Sequence, residues 1–520
     1  MLENDLWRRT SIDRNFNWRL IEQRLFALED AIDTTDVHKL HDLLRSGLSR
    51  NLGGILNPKL YNKANAGTKE LIEAYITTVS QGIETFTHWP TTQNDNEGVT
   101  PQQKLNLLYD TRSAYGRTAL VLQGGSIFGI CHIGVVKSLF SRGLLPRLIA
   151  GTATGALMAA WVCVHTDDEL LEFCRGSSVD LSHFIASSYR AARANGEGPH
   201  PYGWLWLRTF YRRLNRYLAS GFILDPMVLQ ESFRANVGDL TFEEAYERTT
   251  RVLNITISPS GPGSITLLNY LTAPHVLIWS AAMVSSAADT QSCKVQLYCK
   301  DSEGAIVPYN PARHTDCVST PKPSKPWKKS TYKQESPLSR LAELFNVNHY
   351  VISQARPYIA PFLYPSLRTS QPSFRALFSR LIIWELQHRF SQLETMGLLP
   401  LRAKRLLLDE TVPGAHMTVV PEMRISDWAR LLRNPTEREI DHWIMRGERS
   451  VWPHMTALIM RLRVEITLDR GYQLVRRTGR HVALVGDEEE NEEGAGAMEV
   501  RSARKRKRTR AASTGNVAQS

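Results

Sequence analysis

The chain has 520 residues, 42% of them hydrophobic and 22% charged, which is near the globular average and excludes a chain disordered from end to end. That length exceeds one ordinary domain and suggests about two to four units. The formal charge of +11 suits an acidic partner such as anionic lipid or nucleic acid, although part of the excess sits in the tail.

The first 88 residues read as a helical module. Trp18, Ile21, Leu25 and Leu28 share one face at helical spacing, Asn51–Gly54 and Asn57-Pro58 punctuate the segment, and a helix restarts over 68–78. WPTTQNDNEGVTPQQ (89–103) is polar and proline-bearing, so 89–117 reads as a linker and lead-in. At Thr118 the pattern changes. The apolar run TALVLQ (118–123) leads into GGSIFG (124–129), and a helix follows with Ile133, Val136 and Phe140 on one face. LIA (148–150) then runs into GTATG (151–155) and an apolar helix to Val164. Strand, glycine turn and helix occur twice in succession, which predicts an α/β fold with a mostly parallel sheet across 118–357. Further strands are expected at 251–258 and 350–354. Residues 301–336 read as irregular, 358–478 as helical, and 479–520 as a disordered tail with an acidic run before the basic Arg504–Arg508.

Six cysteines (Cys131, Cys163, Cys174, Cys293, Cys299, Cys317) lack zinc or CxxC spacing, so neither a disulfide scaffold nor a metal site is expected and a reducing compartment fits. MLENDLWRR carries charge where a signal peptide needs an apolar run, and no stretch reaches about 18 uninterrupted apolar residues. Neither secretion nor a spanning helix is expected.

The glycine turns carry the chemistry. Gly124 and Gly125, between strand and helix, let backbone N–H groups converge on an anion, whether a phosphate or the oxyanion of acyl transfer. The spacing is neither G-x-G-x-x-G nor a P-loop, so a nucleotide site is the weaker choice, and a plain packing turn stays open. Gly151-Thr152-Ala153-Thr154-Gly155 has the flanking glycines of a G-x-S-x-G elbow, but alanine stands where the serine belongs.

With these motifs the chain resembles the patatin-like phospholipases, in their eukaryotic triacylglycerol-lipase branch. The resemblance rests on LVLQGGSIFGICHIGVVKSL (120–139), LLPRLIAGTATGALMAA (144–160), APHVLIWSAAMVSSAA (273–288) and SRLAELFNVNHYVISQARP (339–357). LRSGLSRNLGGILNPKLY (44–61) and RGERSVWPHMTALIMRLRVEITLDR (446–470) resemble the family's N- and C-terminal helical modules. The resemblance implies a Ser–Asp dyad hydrolysing acyl esters, with a glycine loop holding the oxyanion. Gly124, Gly125, Ser126 and Gly129 match that loop, and Gly151 and Gly155 match the elbow. Ala153 stands at the nucleophile position, and Lys329, anchored on Trp327 and Pro337, stands where the aspartate base is expected. A methyl group cannot attack a carbonyl and an ammonium cannot accept the serine proton. The resemblance therefore implies a catalytically impaired member of a lipid acyl-ester hydrolase lineage, working without a cofactor.

Thr152 and Thr154 flank Ala153 but should point elsewhere, and Asp301 or Asp316 would have to replace the base. His132 and Cys131, beside the glycine loop, read as core residues rather than catalysts. YGWLWLRTFYRRLNRY (202–217) interleaves rings and guanidinium groups, so Trp206, Phe210, Arg212 and Arg213 are candidates for a lipid interface, with a core helix as the bland reading. The expected partner is a glycerolipid or phospholipid at the surface of a membrane or lipid droplet. A non-catalytic role beside active relatives, as a hetero-oligomer, is one alternative, and an active hydrolase with a different nucleophile is another. The expected location is intracellular, at a droplet or endoplasmic-reticulum surface, or the nucleus through the 504–508 cluster. No nucleic-acid-binding fold is expected in the folded part.

Overall fold

The computed structural model describes residues 2–63, 67–91, 99–124, 126–173, 211, 226–257, 267–287, 296–309, 336–355, 414–422, 427 and 437–478, with single residues between 378 and 396. Gly125, Lys329, Asp316, Trp206, Phe210, Arg212, Arg213 and the tail from 479 lie outside these, as do the side chains of Ser126 and Ile127.

The fold is α/β. Among the described residues, a six-stranded sheet runs in the order β4-β3-β2-β1-β7-β8. Its strands are β1 (Arg117–Gln123), β2 (Leu148–Thr152), β3 (Val252–Thr256), β4 (Leu267–Leu268), β7 (Val347–Gln354) and β8 (Ala415–Val419), while β5 (Tyr298–Lys300) and β6 (Ile306–Pro308) form a separate antiparallel pair. All pairings in the larger sheet are parallel except β3 with β4. β1 lies in the middle and is buried at every position after Arg117, which is why it reads as a continuous apolar run rather than an alternation.

β3 falls inside the predicted 251–258. β7 starts at Val347, three residues before the expected 350. β8 corrects the helical reading of 358–478: Ala415–Val419 extends the sheet, with His349 opposite Ala415 and Ser353 opposite Val419. Gly414, at φ +83°, and Pro421 bound this short run, and they were the signal for a strand. A second correction falls in the 89–103 linker, because a helix begins at Pro101 and runs to Tyr115. Thr100 and Gln103 form a reciprocal cap at 3.3 and 3.1 Å, and the sequence TPQQ states it.

Two compact units divide the chain, and neither is a continuous stretch. One comprises Met1–Trp18, Arg50–Glu73 and Gly116–Glu465, and contains the sheet. Its core joins Ala119, Val121, Leu148, Ala150, Val252, Tyr350 and Ile352 to Leu338, Leu341 and Phe345 of helix Pro337–Phe345. The other comprises Arg19–Ser49, Ala74–Tyr115 and Ile466–Ser520. It buries Ile21, Leu25, Leu28, Leu40, Leu44, Ile83, Phe86 and Leu108. Lys104 is buried there too, its ammonium donating to the carbonyls of Thr87 and Trp89 at 2.7 Å each, a cation closing a helix C-terminus.

At the N-terminal edge of the sheet, in the first unit, a buried polar network gathers around Thr118 of β1. Arg50 donates to Thr118 Oγ1 (2.9 Å), the Gly116 and Arg461 carbonyls (3.0 and 3.1 Å) and Glu465 Oε2 (3.0 Å). Glu465 Oε1 accepts from the Thr118 N–H at 2.7 Å, and Glu465 Oε2 accepts from the Thr118 hydroxyl. Arg461 donates to His349 Nε2 at 3.2 Å and to the Leu56 carbonyl at 3.2 Å. Residues 50–56 and 461–465 thus meet on one strand end.

Candidate active site

β2 ends at Thr152, and the chain turns into the helix Thr154–Val164 through Ala153. Ala153 has φ +55° and ψ −125°, a conformation L-residues rarely adopt. The turn is forced by what surrounds it. A Cβ on Gly151 would lie 2.5 Å from Ala156 Cα, and one on Gly155 would lie 2.0 Å from the Leu122 carbonyl oxygen of β1. Only glycines let strand and helix approach this closely. The turn is also pinned from outside by the helix Ile278–Ser286: the Ala153 N–H donates to Ser285 Oγ at 3.0 Å, and Ser286 Oγ donates to the Ala153 carbonyl at 3.1 Å. Ser285 itself donates to the Thr256 carbonyl at 2.7 Å. A strained strand-to-helix turn is therefore present, with a methyl group at its tip.

Because Gly125 sits outside the described residues, the glycine loop is seen through its neighbours. Gly124, at φ +64°, donates its N–H to the Thr152 carbonyl at 3.2 Å, so the loop leaves β1 beside the elbow. Gly129 faces Thr154, whose methyl would lie 2.6 Å from a Cβ there. Loop and elbow thus sit against each other. His132 is fully buried; its Nε2 lies 3.4 Å from the Gly124 carbonyl and its Nδ1 2.7 Å from Ser353 Oγ. Burial pulls its pKa down to about 4, leaving a neutral ring that ties the loop to β7. Cys131 is buried, and desolvation pushes its thiol far up. Neither group is placed as a nucleophile or base.

Thr152 Oγ1 is engaged with Thr256 Oγ1 at 2.8 Å, and Thr154 packs on Gly129. Asp301 sits exposed in the turn between β5 and β6, where it accepts from the Ser302 N–H at 2.9 Å. Among the described residues no three His, Cys, Asp or Glu side chains group to hold a metal ion.

The helix Glu437–Val451 supports the loop from behind. Its Gly447 and Gly134 of the helix Cys131–Phe140 cross in backbone contact: a Cβ on Gly134 would meet the Ile444 carbonyl oxygen at 1.9 Å, and one on Gly447 the Cys131 carbonyl oxygen at 1.9 Å. Phe128, within the loop, meets Trp443 edge to face with centroids 5.3 Å apart. Buried Asp427 faces His442 at 3.2 Å and Arg446 at 3.6 Å on the same helix. Ser285, Ser286, Gly134, Trp443 and Gly447 carry no local sequence mark of these contacts. MVSSAA and IMRGE carry the small residues, but only the folded chain shows what each small residue touches.

The patatin-like phospholipase family matches residues 120–290, and a domain of unknown function, DUF3336, matches residues 1–113. Triacylglycerol lipase ptl1 of Schizosaccharomyces pombe is 33% identical over 467 residues, covering 89% of this chain and 78% of that protein. The chain belongs to the patatin-like phospholipase family. Triacylglycerol lipase SDP1L of Arabidopsis thaliana is 33% identical over 457 residues, 87% of this chain and 54% of that protein. Triacylglycerol lipase 5 of Saccharomyces cerevisiae is 28% identical over 488 residues, 90% and 61% of the two chains. The chain thus spans between about half and four-fifths of the length of these relatives.

Two expectations follow from this geometry. Ala153→Gly should stabilise the chain by about 1 kcal/mol: relief of a backbone strain of order 1–3 kcal/mol outweighs the extra freedom glycine gives the unfolded chain. An unchanged or lower melting temperature would mean that Ala153 is not strained. The second concerns pH. His132 and His349 are buried and neutral, His349 held down to about 2 by burial and by the Arg50 and Arg461 charges. In the unfolded chain each titrates near 6.5, so below that pH the unfolded state takes up protons the native state refuses, and stability falls. Between pH 7 and 5 the two histidines together should remove about 4 kcal/mol. Urea midpoints at pH 7 and 5 check this, and equal midpoints would contradict it.

Proposed function

We propose that this chain is a catalytically impaired acyl-ester hydrolase that engages glycerolipid or phospholipid at a membrane or droplet surface without turning it over. The observation that carries the reading is Ala153: the elbow keeps its backbone strain and its serine pins, yet its tip holds no nucleophile. The expected position of the base, Lys329, supports the same reading. Loss of the nucleophile from such a unit costs about 10⁶-fold in kcat. Thr152 and Thr154, both engaged with neighbours, do not favour a different nucleophile.

The relatives are named triacylglycerol lipases, which supports a glycerolipid ligand. Surface association is supported by large apolar side chains exposed among the described residues, including Phe378, Leu381, Trp384 and Met396. No helix of the described residues is long and apolar enough to cross a membrane, so the contact proposed is peripheral. A role beside active relatives, in which this chain holds lipid or pairs with the enzyme that cleaves it, is compatible with this proposal.

The test is turnover by the purified chain of a p-nitrophenyl acyl ester and a triacylglycerol emulsion, with a fluorophosphonate probe in parallel. Neither turnover nor labelling is expected. Clear turnover would overturn the reading and direct mapping of the labelled residue.

A further inference from the structure

We infer that Gln123 is a ligand-binding residue whose side-chain amide donates to the carbonyl or carboxylate oxygen of an acyl lipid held at the elbow. The inference rests on the acyl-lipid reading above and adds to it the group that recognises the lipid's oxygen.

Gln123 is the last residue of β1 and is 5% exposed, yet its Nε2 has no hydrogen-bond partner among the described residues. It stands in register with Thr152 on one side and Gln354 on the other. Because side chains alternate along a strand, Gln123 shares a face with Ala119 and Val121, which lie in the apolar core. The C-terminal edge of that face therefore ends in a polar row of Thr256, Thr152, Gln123 and Gln354, laid over an apolar floor of Ala150, Val121 and Ile352. Thr152 and Thr256 satisfy each other at 2.8 Å. The Gln123 donor is left over, and buried donors are rarely left so.

The location narrows the partner. Open parallel sheets bind ligands at the C-terminal ends of their strands. The strand beside Gln123 ends at Thr152, the residue before Ala153, and the helix starting at Thr154 turns its positive end toward this edge. An unused N–H donor at this edge selects an oxygen with partial or full negative charge. The carbonyl of an ester and the carboxylate of a free fatty acid both present one. With alanine at the elbow, neither would be consumed.

Equilibrium dialysis of the full chain against oleate, monoolein and oleyl alcohol, each below its aggregation concentration, tests the inference. Gln123→Leu should weaken oleate and monoolein about tenfold, spare oleyl alcohol, and leave the melting temperature of the free chain unchanged or raised, since it removes an unsatisfied buried donor. Gln123→Glu places a carboxylate at the same point and should weaken oleate further than monoolein, which separates free acid from ester. Equal binding of oleate and monoolein by wild type and Gln123→Leu would overturn the inference and leave the lipid reading intact. Equal loss of all three ligands, or a marked drop in melting temperature, would assign Gln123 to packing and overturn it as well. A wild-type chain that binds none of the three would sink the lipid reading itself, and the inference with it.

Discussion

Replacing Glu465 with leucine while Arg50 is kept should cost about 3–5 kcal/mol of stability, because it strands a buried charge. The Arg50 side chain is 7% exposed and that of Glu465 15%, with 3.0 Å between them. The same carboxylate accepts the Thr118 N–H and hydroxyl, so the variant also orphans a backbone donor at the start of the central strand. The second cation, Arg461, adds to the imbalance, since it and Arg50 both face His349. The double variant Arg50→Met/Glu465→Leu should be more stable than Glu465→Leu alone, because replacing both partners with apolar groups removes the uncompensated charge. Urea midpoints of the two variants and the wild type decide it. A loss below about 1 kcal/mol in the single variant would mean that the pair is solvated and holds nothing together. The network lies at the N-terminal end of β1 and the elbow at the C-terminal end of β2, so the loss would fall on folding rather than on the elbow's chemistry.

Where sequence neighbours decide the structure, the chain was readable. TALVLQ and the run into GTATG name β1, β2 and both turns, since a buried parallel strand is apolar throughout and a tight strand-to-helix turn demands glycine at Gly151 and Gly155. The substitution at Ala153 was equally plain. Illegible were the partners brought together by folding. Arg50 and Glu465 lie 415 positions apart, and neither position carries a local mark of an ion pair. Gly134 and Gly447 are ordinary helix glycines until two helices cross on them. β8 is marked only by Gly414 and Pro421 at its ends, five residues in a stretch otherwise rich in leucine and arginine. Ser285 and Ser286 stood inside a quoted motif, but pins on a turn 132 and 133 positions away leave no spacing to read.

Restoring the serine alone should not restore hydrolysis. In Ala153→Ser the hydroxyl would inherit a turn at φ +55° and ψ −125°, pinned by Ser285 and Ser286, so the nucleophile would be correctly mounted. What it would lack is a proton acceptor. His132 is buried, neutral and committed to Gly124 and Ser353. Asp301 sits in a surface turn, and in the reading proposed above Lys329 stands at the aspartate position. A positioned general base contributes about 10²–10⁴-fold. Ala153→Ser should therefore stay within about tenfold of wild type on a p-nitrophenyl ester, and Ala153→Ser/Lys329→Asp should exceed it by at least about 10²-fold. Fluorophosphonate labelling of the double variant, and not of the wild type, would place the new activity at residue 153. Strong turnover by Ala153→Ser alone would show that another residue of this chain supplies the base, and that the aspartate position does not fall on Lys329.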